Sequence, residues 1–335
     1  MPEMATGKQQ KKAEGEEDPN VNPLICSAEL ILPWLNPREL ASAASTCKTL
    51  AQLSRLITLR RTSDATRSLE KLPVPFRGSS QRNSPPYAYF LYAESQLLSS
   101  ESPDRQPWGS PSSSTVAGAG SSKQSAAENG CGCGCEGCGI GNRSLEREEL
   151  EVGVLSECGS GCGCGLECRN RLTQRGIRVK LKIVWSERKS WCLLADQLIP
   201  QGQFVCEYTG ELLTTQEARR RQQAYDGGRF SSSALLVVRE HLPSGKACLR
   251  VNIDATKIGN VAKFINHSCD GGNLWTVLVR SPGAFLPRLC FFASRDISKD
   301  EELCFSYGQS RARPNGRQCF CGSPVCSGTL PSEAT

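Results

Sequence analysis

Gly259-Asn260-Val261-Ala262-Lys263-Phe264-Ile265-Asn266-His267-Ser268-Cys269 is the stretch around which the chain reads. It sets three hydrogen-bonding side chains, Asn266, His267 and Ser268, directly beside an apolar run. Such groups are costly to bury unless each finds a partner. One reading is a strand end with capped polar residues; the other is a site. The stretch holds one of only two histidines in the chain, the other being His241, and it ends on a cysteine.

Working outward, 335 residues allow about two domains. A formal net charge of +6 is a mild basic bias. It favours acidic partners such as chromatin and is too small to mark a nucleic-acid binder. No apolar run approaches the roughly 18 residues of a membrane span, so no membrane partner is expected. Met1 to Asn20 is polar and charged, without the apolar core of a secretory signal. The expected setting is the reducing cytosol or nucleus. Nineteen cysteines there point to zinc thiolates rather than disulfides.

Residues 1–22 are expected to be disordered. Over 23–60 leucines and alanines recur at three- and four-residue spacing around Pro33 and Pro37, which predicts short helices. Ile31 to Leu40, followed by Ser45-Thr46-Cys47-Lys48, resembles the second half of an F-box. That resemblance implies a ubiquitin-ligase adaptor as partner; the other reading is a helical pair that packs on its own chain. Residues 61–98, rich in proline, read as irregular, and 99–130, rich in Ser, Gly, Pro and Ala, as a linker. From Arg178 onward strand-like runs alternate with turns: 179–185, 191–195, 204–208, 234–238, 249–253, 275–279 and 289–293. One helical stretch, Thr215–Tyr225, interrupts them. The fold class is therefore mostly β.

Two cysteine groups flank this domain. Cys131, Cys133, Cys135, Cys138, Cys158, Cys162, Cys164 and Cys168 lie in a segment with little apolar content, where metal binding would supply the folding free energy. Eight thiolates satisfy two four-coordinate zinc ions; a bridged three-ion cluster takes a ninth. Cys319, Cys321 and Cys326 form a second group that lacks a fourth ligand. Cys269 is the best candidate, and the alternative is that it is a core thiol. The whole chain is thus expected to hold about three or four zinc ions.

Further motifs follow one another. Glu207-Tyr208-Thr209-Gly210-Glu211, Asn252-Ile253-Asp254-Ala255, the opening stretch, and Glu301-Glu302-Leu303-Cys304-Phe305-Ser306-Tyr307-Gly308 stand in the order and spacing of a SET domain. The cysteine groups resemble its pre-SET and post-SET segments. Together, over about residues 131–328, the chain resembles the suppressor-of-variegation class of histone-lysine N-methyltransferases, most closely the plant "related" subgroup. The resemblance implies a β-fold with a pseudoknot over 173–308, a pre-SET zinc cluster over 131–172 and a post-SET zinc segment over 315–331, beside a small α-helical N-terminal module.

It also implies an S-adenosylmethionine-dependent enzyme acting on a histone tail in nuclear chromatin, with histone H3 lysine-9 as the best single guess and silencing as the role. Asn266 and His267 would contact the cofactor, as would Tyr307 and the backbone of Lys189-Ser190-Trp191. Tyr307 would be the catalytic tyrosine, with Tyr208 and Phe305 lining the lysine channel. A phenylalanine at 305 implies that more than one methyl can be added. Cys269 would join Cys319, Cys321 and Cys326 on one zinc, so that His267→Ala would lose cofactor binding and keep that metal. Three features depart from the family. Ser190 and Cys192 stand where glycines are usual around the tryptophan, a C-x-C pair is missing after Cys138, and Asp270-Gly271-Gly272-Asn273 replaces the usual Pro-Asn. These departures motivate a second reading, a non-catalytic zinc-stapled chromatin-binding module.

Overall fold

The computed structural model describes residues 23–78, 86–98, 147–151, 153–159, 162–226, 233–241, 248–282, 284, 286–308 and 317–331. Cys131, Cys133, Cys135 and Cys138, the linker and residues 1–22 lie outside them. The chain divides into two compact units, 1–58 and 59–335.

The first unit is helical: α1 (Pro23–Ile31), a 3-10 turn at Leu32–Trp34, α2 (Pro37–Ala44) and the start of α3 (Lys48–Ser63). Asn36 caps α2 by accepting from the amides of Arg38 and Glu39, while the Glu39 carboxylate accepts from the Asn36 amide. This reciprocal box, with proline at the first helical position, fixes where the helix begins. Ala28, Leu32, Leu40, Leu50 and Ile57 form a small core of the unit's own. Among the described residues no helix is long and apolar enough to cross a membrane.

The second unit is built of sheets. Three strands order as β1 (Phe76–Arg77), β5 (Leu181–Ser186) and β6 (Ser190–Ala195). A second sheet runs β2 (Leu91–Tyr92), β10 (Cys248–Gly259), β8 (Gly210–Leu213), β3 (Leu97–Leu98), with β9 (Leu235–His241) also on β10. A third runs β4 (Val154–Ser156), β12 (Leu274–Arg280), β13 (Arg288–Ala293), β7 (Phe204–Glu207). Helix α4 (Arg147–Glu151) precedes β4, and α5 (Thr215–Asp226) follows β8. In β5 burial alternates from Leu181 to Val184, so one face meets the core. In β13 every residue after Arg288 is buried, as suits a central strand covered on both faces.

Residues 61–98, read from sequence as irregular, do more than connect. They supply β1, β2 and β3, and Val74, Phe76, Phe90 and Tyr92 belong to the main core with Ile183, Leu193, Ile253 and Phe291. The edge strands add to open edges: Phe76 pairs with Ile183, Leu91 with Ile258 and Leu97 with Glu211.

The site is positioned by a fourth, two-stranded sheet. β11 (Asn266–His267) runs parallel to β14 (Cys304–Phe305), with Asn266 opposite Cys304 and His267 opposite Phe305. On its other side the segment leading into β14 meets β6: the Leu303 amide donates to the Leu193 carbonyl and the Ala195 amide to the Glu301 carbonyl. Residues 301–305 are thus threaded between β6 and the 266–273 segment, the pseudoknot of the fold. Gly272 makes this possible. It has a φ of +75°, and a Cβ there would lie 2.3 Å from the Cys304 carbonyl oxygen. The Asp270–Asn273 departure is thereby a close crossing of two backbones.

Candidate active site and metal centres

Threading brings the opening stretch and the C-terminal motif face to face. The Tyr307 hydroxyl donates to the Ile265 carbonyl at 2.7 Å. Its lone pairs remain able to accept a further hydrogen bond. Burial raises the Tyr307 phenol well above its ordinary pKa, with Cys304 and Glu302 adding to the effect, so it stays protonated at neutral pH. Aromatic rings continue from it. Phe305 lies 4.9 Å from Tyr307 and 4.8 Å from Phe291, and Phe291 lies 6.4 Å from Tyr208. Tyr208 donates to the Ala234 carbonyl at 2.7 Å, and burial raises its phenol too. Tyr208, Phe305 and Tyr307 are therefore brought together. Phe291 is fully buried between them and carries no motif signal; it was legible only as one residue of an apolar strand.

Asn266 lies beside the β5–β6 turn. Its Nδ2 donates to Glu302 Oε1 at 3.0 Å and faces Cys192 Sγ at 3.2 Å and the Trp191 carbonyl at 3.4 Å. Its Oδ1 has no partner among the described residues. Glu302 Oε2 accepts from Lys189 Nζ at 2.8 Å. Burial and the neighbouring Glu302 push the Cys192 thiol up to about 12. The turn itself uses Ser190 at a φ of +67°, the left-handed region that favours glycine. Lys189, Ser190, Trp191 and Asn266 are thus neighbours. An open amide oxygen, a tight turn and a nearby carboxylate fit a small cationic ligand carrying N–H donors.

His267 points elsewhere. Its Nδ1 accepts from the Tyr307 amide at 3.2 Å, so the ring proton sits on Nε2, which meets Cys269 Sγ at 3.2 Å. Burial lowers its pKa and keeps the ring neutral. Both nitrogens are engaged, so any ligand contact from this residue falls to its backbone.

The cysteines divide into two centres. Cys269, Cys319, Cys321 and Cys326 hold their sulfurs within 4.8 Å of one another, and Cys269 and Cys319 are 3.9 Å apart. Four zinc–thiolate bonds of about 2.3 Å in a tetrahedron set sulfurs roughly 3.8 Å apart, so this set fits a zinc ion. Of Cys269's two readings, ligand or core thiol, the geometry favours the ligand. Cys158, Cys164 and Cys168 form the other group, with Cys158 and Cys168 also 3.9 Å apart and Cys162 buried alongside. Asn170 and Arg171 donate to sulfurs of this group, as thiolates in a metal cluster require.

The comparisons with known proteins agree with this geometry. A SET-domain model matches residues 190–308. Over 95% of its length the chain is 55% identical to the histone-lysine N-methyltransferase SUVR3 of Arabidopsis thaliana, and it covers 94% of that protein. The chain belongs to the SET-domain histone-lysine N-methyltransferases. Another relative is the H3 lysine-9 specific SUVH6 of Arabidopsis thaliana, 35% identical over 51% of this methyltransferase and 24% of that one. Among solved structures, the methyltransferase domain of human SETMAR superposes with a TM-score of 0.57 at 27% identity, covering 80% of this chain and 97% of that one. SUVH6 in complex with SAM gives 0.56 at 25% identity, over 80% and 55% respectively. In this methyltransferase sequence reading missed Phe291, Glu302 and Asn273. Asn273 takes the Cys304 amide on Oδ1 at 2.9 Å and donates from Nδ2 to the Glu302 carbonyl at 2.9 Å. The available signal was that Glu302 stands inside the Glu301–Gly308 motif.

Proposed function

We propose that the chain transfers methyl groups from S-adenosylmethionine to a lysine of the histone H3 tail, lysine-9 being the favoured target, in nuclear chromatin and in the service of silencing. The observation that carries this reading is the Tyr307 hydroxyl, donating to Ile265 at the end of an aromatic string and beside Asn266.

S-adenosylmethionine, when bound, supplies a methyl group on a positive sulfonium. Tyr208, Phe305 and Tyr307 line the lysine channel. Removal from water lowers an amine's pKa, so the lysine leaves its proton with the solvent and enters as the neutral amine, its lone pair free. Tyr307 accepts an N–H from that amine and aims the lone pair, a gain from alignment rather than from a covalent intermediate. Phe305 offers no hydroxyl to restrain an amine already methylated, so more than one methyl is added. Asn266 and the backbone of Lys189, Ser190, Trp191 and His267 hold the cofactor. Cys269, Cys319, Cys321 and Cys326 hold one zinc; Cys158, Cys162, Cys164 and Cys168, with Cys131, Cys133, Cys135 and Cys138, hold the others.

Two observations weigh against a non-catalytic module. Ser190 adopts the glycine-like turn, and Cys192 accepts a hydrogen bond instead of obstructing. The adaptor role of the N-terminal helices gains no support: the family model that matches is a SET domain over residues 190–308, outside those helices.

Incubation with labelled S-adenosylmethionine and H3 peptides tests the proposal. Expected are transfer to a lysine-9 peptide and a loss of at least about a hundredfold in Tyr307→Phe, with zinc content unchanged. No transfer to any H3 peptide, or a Tyr307→Phe variant as active as the wild type, would sink it.

A further inference from the structure

The Asn266 carboxamide is held in one orientation by three neighbouring groups. Three acceptors surround its Nδ2: Glu302 Oε1 at 3.0 Å, Cys192 Sγ at 3.2 Å and the Trp191 carbonyl at 3.4 Å. Turned the other way, Oδ1 would face all three, oxygen or sulfur against oxygen. Of the three, only Glu302 is charged, and hydrogen bonds to ionised acceptors are the strong ones. Its carboxylate, about a quarter exposed, is engaged at both oxygens, since Oε2 takes Lys189 Nζ at 2.8 Å. Lys189 stands one residue before Ser190 and its left-handed turn. Glu302 itself is fixed by the bridge to Leu194 on β6, and its carbonyl is held by Asn273. One carboxylate therefore ties together the β5–β6 turn, β11 and the threaded 301–305 segment.

We infer that Glu302 is the positioning residue of the cofactor site: it locks Asn266 with Oδ1 outward, as an acceptor for an N–H donor of S-adenosylmethionine, and clamps the Lys189–Ser190 turn whose backbone lies beside it. The inference rests on the methyl-transfer reading given above. The ligand chemistry follows from the open atom. A bare amide oxygen selects an ammonium or amino group, and it does so only while the carboxamide cannot flip.

The test is calorimetric titration of the full chain with S-adenosylmethionine, together with steady-state kinetics and a thermal midpoint for each variant. Glu302→Ala is expected to weaken binding roughly tenfold or more, the loss of a charged hydrogen bond. KM for the cofactor should rise while kcat at saturation stays within about twofold. Glu302→Gln keeps an acceptor for Asn266 but turns a donor toward Lys189 and gives up the charge, so its binding is expected to fall between that of Glu302→Ala and the wild type. Asn266→Asp sets two carboxylates against each other and should bind poorly. Adding Glu302→Gln to that variant supplies a donor to the new carboxylate and should restore binding, a non-additive cycle that loss of folding would not produce. Glu302→Ala binding as the wild type does, or failure of that rescue, overturns the inference while leaving the methyl-transfer reading intact. A wild-type chain that shows no binding overturns the cofactor reading and the inference together.

Discussion

Ser190 carries a φ of +67°, where a side chain costs roughly 1–2 kcal/mol relative to glycine. The turn is held by what surrounds it, including the Lys189–Glu302 pair. Ser190→Gly is therefore expected to raise stability by up to about 1 kcal/mol, read as a shift in the urea midpoint, without weakening cofactor binding. His267 changes meaning at the same scale. Its Nε2–H points at Cys269, so the expectation that His267→Ala spares the metal no longer follows. Its loss should weaken the post-SET zinc roughly 10–100-fold, measured by competition with a chelator.

Among the elements, α5 and β10 show how a motif residue can serve packing. Asp254 is fully buried in β10 and accepts from Arg221 Nη1 at 2.8 Å, the Tyr225 hydroxyl at 2.7 Å and the Thr256 amide at 3.0 Å. Arg221 also bonds Glu211 of β8 and Glu217 of α5. The helix is fastened to the sheet by charge, since its sequence is strongly polar. Burial alone would raise the Asp254 pKa; the hydrogen bonds from Thr256, Tyr225 and Arg221 outweigh it and hold it below its ordinary value. A carboxylate so depressed contributes stability above the unfolded pKa, which is lost as pH falls through the folded one. Asp254→Asn leaves Arg221 buried without its full charge partner. It should cost about 3–5 kcal/mol by denaturant unfolding, with the acid-induced loss of stability diminished.

Across the whole second unit, Arg288 joins the segment before the SET sheets to the sheets themselves. Its Nη2 donates to Glu157 Oε2 at 2.9 Å and to Thr173 Oγ1 at 2.8 Å, and its Nη1 to Glu207 Oε2 at 3.1 Å. β4 extends the same junction by pairing with β12. Burial raises the Glu207 carboxyl to about 7 in spite of Arg288. A carboxyl raised in the folded state binds its proton there more tightly than in the unfolded chain. Its contribution is full below about 4.5 and is lost as pH rises through about 7. The thermal midpoint of the wild type should therefore fall between pH 5 and about 7.5 relative to that of Glu207→Gln, followed by scanning fluorimetry across that range.

What the sequence determined by itself was what repeats locally or stands in fixed order. β5, β6, β7, β9, β10, β12 and β13 and helix α5 each run long enough for a period to emerge, and the four motifs and two cysteine groups needed only spacing. β8, β11 and β14 and the short edge strands did not emerge. β8 begins on a glycine, a weak strand signal. A strand of two residues has no period and exists because a neighbour offers an open edge, as Ile183 does to Phe76. Residues 61–98 lacked any pattern, yet Val74 and Phe90 complete the core. The direction of each side chain in the opening stretch was likewise decided only by tertiary structure. Passing residues 301–305 between β6 and 266–273 sends Asn266 toward Glu302 and His267 toward Cys269, and no local rule fixes which way two adjacent residues face until a third segment lies between them.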